Sequence, residues 1–323
     1  MPNKVMNFDL RHPPQFGTTG AEIYAAALDM CAWADEQGFE RISVAEHHQN
    51  DDGYIPSPLI FAAAVGGRTK RVKMRTGVVL APLYDPIRLA EEAAVADLCL
   101  QGRLVLGMGL GNLREDYELF GADFHKRGQH MEWLIPFLRR AWTGEPFEYR
   151  GTTVRVTPCP VQKPMPIYLG GISSAATDRA VRLADGFHTA TPAIWELYRA
   201  SCRKFGKPDP GPAQPRGPMF LWVTKDDKAR VLARLQPHFE QQAQSYIEQS
   251  RKAGQTFAGP WAPPKGAPTP YQILHPEEAV ELANGLGARG ELLFQPVLSG
   301  IDPKLAWEML RLVEREVFPH LKH

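Results

Sequence analysis

The sequence predicts an α/β fold, a (β/α)8 or TIM barrel, carried on one chain of 323 residues. Three observations lead there. Short β-branched runs alternate eight times with helical stretches along the chain. Runs such as Val78-Val79-Leu80 lack polar alternation, as strands covered on both faces do. Composition never shifts enough to mark a boundary, so residues 1–323 read as a single domain, although the length alone would also allow two.

Met6 to Leu10 reads as the first strand, followed by a Pro/Gly-rich loop from Pro13 to Gly20. From Glu22, the residues Ile23, Ala26, Ala27, Met30 and Ala34 keep helical spacing until Gly38 stops the helix. Arg41 to Ala45 is the second strand. Pro58 to Thr69 is a small-residue helix with Ser57 as its expected cap. Val72 to Ala81 is the third strand, and Asp85-Pro86 opens a helix to about Cys99. Leu104 to Gly109 is the fourth. Arg114 to Trp142 is helical, broken near Gly121 to Gly128. Phe147 to Thr152 and Val154 to Thr157 read as an inserted hairpin. Pro166 to Gly171 is the fifth strand, with its helix at Ala175 to Ala184. Gly186 to Thr189 and Met219 to Thr224 are the sixth and seventh, followed by helices at Ala193 to Phe205 and Lys228 to Lys252, the latter with a kink expected at Pro237. Glu291 to Gln295 is the eighth, and Pro303 to Phe318 closes the chain. The stretch from Gly254 to Pro270 is too long and proline-rich for an ordinary connection; it reads as a lid or ordering loop, or equally as an excursion with no role.

Several function classes are disfavoured. Lys and Arg number 37 against 36 Asp and Glu, a net charge of +1, which gives no electrostatic footprint for nucleic acid. No run approaches the roughly 20 apolar residues of a membrane span. The first ten residues lack a secretory h-region. The four cysteines, Cys31, Cys99, Cys159 and Cys202, are scattered with no CxxC pair, so neither zinc nor a disulfide framework is suggested; a cytoplasmic location is expected.

Three constellations carry candidate chemistry. Glu46, His47 and His48 end the second strand, where such folds place their reactive groups; a polar turn that happens to contain histidine is the alternative. Neighbours on extended backbone point to opposite faces, so one histidine is expected to serve the site and the other the structure. Imidazole titrates near neutrality, which suits proton transfer or anion stabilisation. No third ligand at matched spacing supports a metal. The second constellation, Ile167 to Ala175, runs from strand through Gly170, Gly171, Ile172, Ser173 and Ser174 into a helix. Close backbone approach and a helix N-terminus suit a phosphate, while an ordinary serine-capped turn has the same pattern. It matches neither GxxxxGK[ST] nor GxGxxG. In the third, Leu106 to Asn112, glycine at every second position leaves one strand face bare, which makes room for something flat against the strand end or reflects a tight interior where side chains would clash; both can hold at once.

Taken together, these segments resemble the bacterial luciferase-like family of flavin- and deazaflavin-dependent oxidoreductases (luciferase-like monooxygenases). Ala45-Glu46-His47-His48, Thr76 to Pro82, Asp85-Pro86-Ile87-Arg88, Gly102-Arg103-Leu104, Phe120-Gly121 and Gly170 to Ser174 follow in family order and spacing to about Phe187. The last third is similar only loosely. The resemblance implies reduced FMN bound across the strand C-termini, with Gly77, Val78, Asn112, Gly170, Gly171, Ile172, Ser173 and Ser174 as cofactor-binding residues and a non-prolyl cis peptide at Gly77–Val78. It implies His47 as the catalytic residue, supported by Glu46. The expected activity is a two-component monooxygenase: a partner flavin reductase supplies reduced FMN, and dioxygen oxidises a small organic substrate through a flavin peroxide. Hydride transfer with a deazaflavin coenzyme is the alternative, and a non-catalytic flavin-binding protein a second. A homodimer is expected on the same ground. The chain departs from luciferase at Leu110, Gly109 and Ile172, where luciferase carries a phosphate-contacting arginine, a reactive cysteine and an acid, and at Leu100-Gln101-Gly102-Arg103, where many relatives read Ser-Gly-Gly-Arg. A long-chain aldehyde is therefore not the expected substrate, and Arg127 is the candidate for the missing positive charge.

Overall fold

The computed structural model describes residues 1–189, 191–254 and 270–322. In chain order the first half contains β1 (Asn3–Phe8), α1 (Gly20–Glu36), β2 (Arg41–Val44), α2 (Pro58–Gly66), β3 (Lys73–Thr76), α3 (Pro86–Cys99), β4 (Leu104–Met108), α4 (Arg114–Leu119), α5 (Arg127–Ala141), β5 (Phe147–Tyr149) and β6 (Thr152–Val154). The second half contains β7 (Ile167–Gly170), α6 (Ser174–Leu183), β8 (Gly186–His188), α7 (Pro192–Lys204), β9 (Phe220–Val223), α8 (Lys228–Lys252), β10 (Tyr271–Leu274), α9 (Pro276–Leu286), β11 (Glu291–Phe294) and α10 (Pro303–Glu316).

The chain forms two compact units. The first comprises Met1–Ser43, His47–Ile55 and Gln214–His323; the second comprises Val44–Glu46 and Pro56–Ala213. In the first unit β1 lies between β11 and β2, and pairs in parallel with β11 so that Asn3 faces Glu291 and Met6 faces Phe294. β9 and β10 form a parallel pair of their own. Met6, Ile23, Met30, Ile42, Phe220, Phe294 and Leu310 are fully buried here. Each removes an apolar side chain from water, worth about 1.5–3 kcal/mol. Trp33 stacks on Phe318 at 6.0 Å and donates its ring N–H to Glu314 at 3.1 Å, tying α1 to the C-terminal helix.

The second unit carries the parallel order β3-β4-β7-β8, with Met74 facing Leu104, Leu106 facing Ile167, and Tyr168 facing Gly186. Leu89, Ala93, Leu104, Leu106, Leu134 and Ile167 make its core. Asp85 starts α3 as expected: its carboxylate accepts the N–H groups of Ile87 at 2.9 Å and Arg88 at 3.3 Å. The inserted hairpin is present as the antiparallel pair β5 and β6.

Four expectations need correction. β1 starts at Asn3, not Met6, because the Asn3 N–H finds the Gly290 carbonyl at 2.8 Å. The third strand is regular only over Lys73–Thr76; pairing is then interrupted and resumes at Val79, after which Ala81–Leu83 turns as 3-10 helix. Ser57 makes no side-chain cap. As expected, α8 runs over Lys228–Lys252 with Pro237 inside it. β10 and α9 were not anticipated; Tyr271 to Leu274 is four residues without alternation, directly after a proline-rich run. The expected lid, Gly254 to Pro270, lies outside the described residues except for its two ends.

Candidate functional site

In the second unit, the end of β3 is clamped to β4. Thr76 is buried, and its hydroxyl both donates to the Gly107 carbonyl and accepts the Gly107 N–H, each at 2.8 Å. The Gly77–Val78 peptide is cis, as the resemblance implied. The Gly77 N–H reaches the Val44 carbonyl at 2.7 Å, Val79 donates to Gly107, and Gly109 donates to Val79, both at 2.8 Å. The glycines of β4 make this approach possible. A Cβ at Gly107 would sit 1.9 Å from the Thr76 carbonyl oxygen, and one at Gly109 would sit 2.5 Å from Val78 Cγ2. On β7, a Cβ at Gly170 would sit 3.0 Å from Val78 Cγ1. Of the two readings of the alternating glycines, the steric one therefore holds at these positions. The room at Gly107 is taken by the β3 backbone and the room at Gly109 by Val78. Val78 itself stays half-buried and presents an apolar surface where β4 and β7 end.

Glu46 is buried in the same unit. One carboxylate oxygen accepts the Leu80 N–H at 3.0 Å and the Tyr84 hydroxyl at 3.1 Å. Burial first, and the Glu46 charge second, raise the Tyr84 pKa, so Tyr84 remains a hydrogen-bond donor. Leu80, Leu83 and Tyr117 form a small core against which Val78, Tyr84, Ala122 and Phe124 pack.

The segment after β7 follows the sequence expectation in form. A Cβ at Gly171 would meet Ala176 Cβ at 2.5 Å, so the loop can fold tightly onto the first turn of α6. Ser173 caps that helix, its hydroxyl accepting the Ala176 N–H at 3.3 Å, and no acidic side chain lies in the first turn. Ile172, Ser173 and Ser174 are exposed. The helix start therefore offers backbone donors to solvent. Asn112 is exposed between β4 and α4. The Arg127 guanidinium lies 3.7 Å from the Phe124 ring centroid and donates to the Phe124 carbonyl.

His47 and His48 fall in the first unit. The His47 N–H bonds the Ile55 carbonyl at 3.1 Å, and its ring stacks on Tyr54 with centroids 4.1 Å apart and 18° between planes. Tyr246, from α8, stands edge-on to His47 at 6.1 Å, and its hydroxyl is 2.9 Å from that of Tyr54. The crowding around the imidazole, then the charges of Arg11 and His48, push the His47 pKa below its ordinary 6.5. The His48 carbonyl accepts from Asn50 at 2.7 Å, and Asn50 in turn accepts from Gln249 at 2.8 Å, fastening the turn to α8.

Val78 is thus brought together with Gly170, and Glu46 with the backbone that follows Val79. The sequence reading missed Thr76 and Tyr84 in this unit, and Arg11, Asp9, Asp52, Tyr54 and Tyr246 around His47. Arg11 had a signal, a charge directly after an apolar strand. Tyr246 had none, because nothing in α8 marks one aromatic among its polar neighbours. Among the described residues, no group of three or more His, Cys, Asp or Glu is placed to hold a metal ion. No described helix is long and apolar enough to cross a membrane.

A family model described as luciferase-like monooxygenase matches residues 4–280. The chain belongs to that family. Its relatives use two kinds of cofactor. One is the oxygenase component of a flavin-dependent trigonelline monooxygenase from Acinetobacter baylyi, 33% identical over 155 residues, covering 46% of this chain and 43% of the relative. Another is an F420-dependent glucose-6-phosphate dehydrogenase from Nakamurella multipartita, 32% identical over 199 residues, covering 58% of this chain and 59% of the relative. The chain thus spans about half the length of the curated relatives it matches. The oxygenating constituent of 3,6-diketocamphane monooxygenase from Pseudomonas putida, solved with FMN, aligns over 100% of this chain and 99% of its own, with TM-score 0.73 and 18% identity. That likeness shows the fold: this luciferase-like chain has the α/β class read from its strand–helix alternation.

Proposed function

We propose that this luciferase-like protein is a flavin-dependent monooxygenase that uses reduced FMN and dioxygen to oxidise a small organic substrate. The observation that carries the reading is Val78, bedded against Gly109 and Gly170, with the Gly171 to Ser174 segment, exposed from Ile172 onward, leading from β7 into α6. A half-exposed apolar surface and a helix N-terminus free of acids are what an isoalloxazine ring and its phosphate require. Gly77 and Val78 would carry the ring, Gly170, Gly171, Ile172, Ser173 and Ser174 the phosphate, and Asn112 a polar edge. Reduced FMN, when bound, supplies the two electrons by which one atom of dioxygen enters the substrate and the other leaves as water. Glu46 holds the backbone after Val79 in place through the Leu80 N–H and Tyr84, which makes it a positioning residue. His47, one peptide bond away, is the proton-handling group. A separate flavin reductase would supply the reduced cofactor, in line with the name of the Acinetobacter relative, an oxygenase component. A cytoplasmic homodimer completes the proposal.

Hydride transfer with a deazaflavin coenzyme is the second reading, favoured by the F420-dependent relative, whose match is the longer of the two. The test feeds the protein with FMN reduced by an unrelated reductase, or with reduced deazaflavin, across a panel of ketones, amines and aromatics. Oxygen consumption matched by a product one oxygen atom heavier supports the monooxygenase. FMN that only reoxidises to hydrogen peroxide, with turnover on deazaflavin alone, overturns it in favour of hydride transfer. FMN binding without turnover on either cofactor would leave a non-catalytic binder.

A further inference from the structure

Arg11 is a fully buried cation that the proposed reaction has not used. It follows β1 in the first unit, and its surroundings are built around it. Its Nη1 donates to Asp52 at 2.9 Å, and its Nε lies 3.8 Å from an Asp9 oxygen, too long for a hydrogen bond. Among the described residues, Nε and Nη2 have no hydrogen-bond acceptor. The guanidinium carbon is 4.1 Å from the centroid of the Tyr54 ring and 5.2 Å from that of Tyr246. The Tyr54 ring is the one on which His47 stacks, also at 4.1 Å, and Tyr246 is the one that meets His47 edge-on. One pair of tyrosines, joined through their hydroxyls, therefore contacts both the imidazole and the buried cation.

The carboxylates nearby do not serve the histidine. Asp52 takes Arg11 Nη1 and the Tyr54 N–H, and Asp9 takes the N–H groups of Arg11 and Ser299. An imidazole oriented by a carboxylate is stabilised when it becomes cationic. The fixed charge that acts on His47 is instead the Arg11 guanidinium, which shares the Tyr54 ring with it and cannot lose its proton. The charges that act on His47 are those of Arg11, after β1, and neighbouring His48; Tyr54, in the turn after β2, and Tyr246, on α8, contact its ring, while Asp9 and Asp52 act on Arg11. Burial keeps both tyrosines protonated, so neither brings a negative charge to the ring.

We propose that Arg11 is a positioning residue for His47, a buried fixed charge that, with Tyr54 and Tyr246, keeps the imidazole neutral and so makes it an acceptor of protons and not a donor. This rests on His47 being the proton-handling group. Burying an arginine is expensive, and two aspartates offset that cost. The arrangement therefore serves as more than packing.

The decisive readout is the imidazole itself, not turnover. Ring NMR of histidine-labelled protein, with the His47 signal assigned by its loss in His47→Asn, follows its titration from pH 5 to 8.5. In the wild-type protein His47 stays neutral over this range, and Arg11→Lys, which keeps the charge, reproduces that. Arg11→Gln raises the midpoint by about one pH unit or more, since the positive charge that disfavours an imidazolium is gone. A wild-type His47 midpoint at or above 6.5, or an unchanged midpoint in Arg11→Gln, overturns the proposal. The wild-type measurement alone can do so if Arg11→Gln does not fold. Failure of the monooxygenase reading would show separately, as absent oxygenated product with the NMR behaviour intact. His47→Asn with undiminished kcat/KM would remove the proton-accepting role and with it the purpose assigned to Arg11.

Discussion

The buried Glu46 carboxylate accepts hydrogen bonds from two neighbouring groups. It accepts the buried Leu80 N–H and the half-buried Tyr84 hydroxyl. Glu46→Leu leaves both unpaired and is expected to cost about 1–3 kcal/mol for each group stranded, read as a lower midpoint in urea unfolding. Glu46→Gln keeps an acceptor and should recover most of that. His47 and Asp9 set opposite pH dependences. The folded pKa of His47 lies below its unfolded value of about 6.5, so the unfolded chain binds more protons. Stability from neutral His47 is present above that value and is lost as pH falls towards the folded pKa. Asp9 is pushed up to about 6, mainly by burial and against the pull of Arg11. Its stabilising contribution is therefore complete below the ordinary 3.8 and is lost as pH rises through about 6. Urea midpoints from pH 4 to 8 should show His47→Asn weakening the acid-side loss and Asp9→Asn weakening the alkaline-side one, each by at most about 1.4 kcal/mol per pH unit. Parallel curves for wild type and both variants would contradict this assignment.

At the scale of the elements, the glycines of β4 separate folding from binding. Gly107→Ala places a methyl against the rigid β3 backbone, 1.9 Å from a carbonyl oxygen, and should destabilise by about 1–3 kcal/mol or more. Gly109→Ala meets only the Val78 side chain, which can turn away. It should cost less stability but shift Val78, weakening flavin binding severalfold. Equal stability losses in the two variants would show that Val78 is as immovable as backbone. The alternation of these glycines was legible in the sequence, but its meaning was not, because whether a bare strand face receives a ligand or a neighbouring strand depends on packing that local pattern does not encode. The Asp85-Pro86 cap was legible because its donors lie two and three residues away. Thr19 and Glu22 form a capping box that was equally readable, since each bonds the other's backbone N–H. Arg11, Tyr54 and Tyr246 were not, because 192 residues separate the two tyrosines that meet through their hydroxyls.

For the whole molecule, connectivity matters more than the size of either unit. The chain passes between the units after Ser43, Glu46, Ile55 and Ala213, so neither is a segment that could be cut free. We propose that residues 1–323 act as one domain, and circular dichroism and tryptophan fluorescence should report a single coincident unfolding transition; two resolved transitions would oppose it. The account depends most on flavin being held by the second unit, at Val78 and the Gly171 to Ser174 loop. Anaerobic titration with reduced FMN tests this directly. Saturable binding is expected, weakened about tenfold or more by a valine at Gly171, where even a Cβ would meet Ala176 at 2.5 Å, in a variant that keeps its wild-type circular dichroism. Absence of saturable binding to the wild-type protein, or an unchanged affinity in folded Gly171→Val, would contradict it.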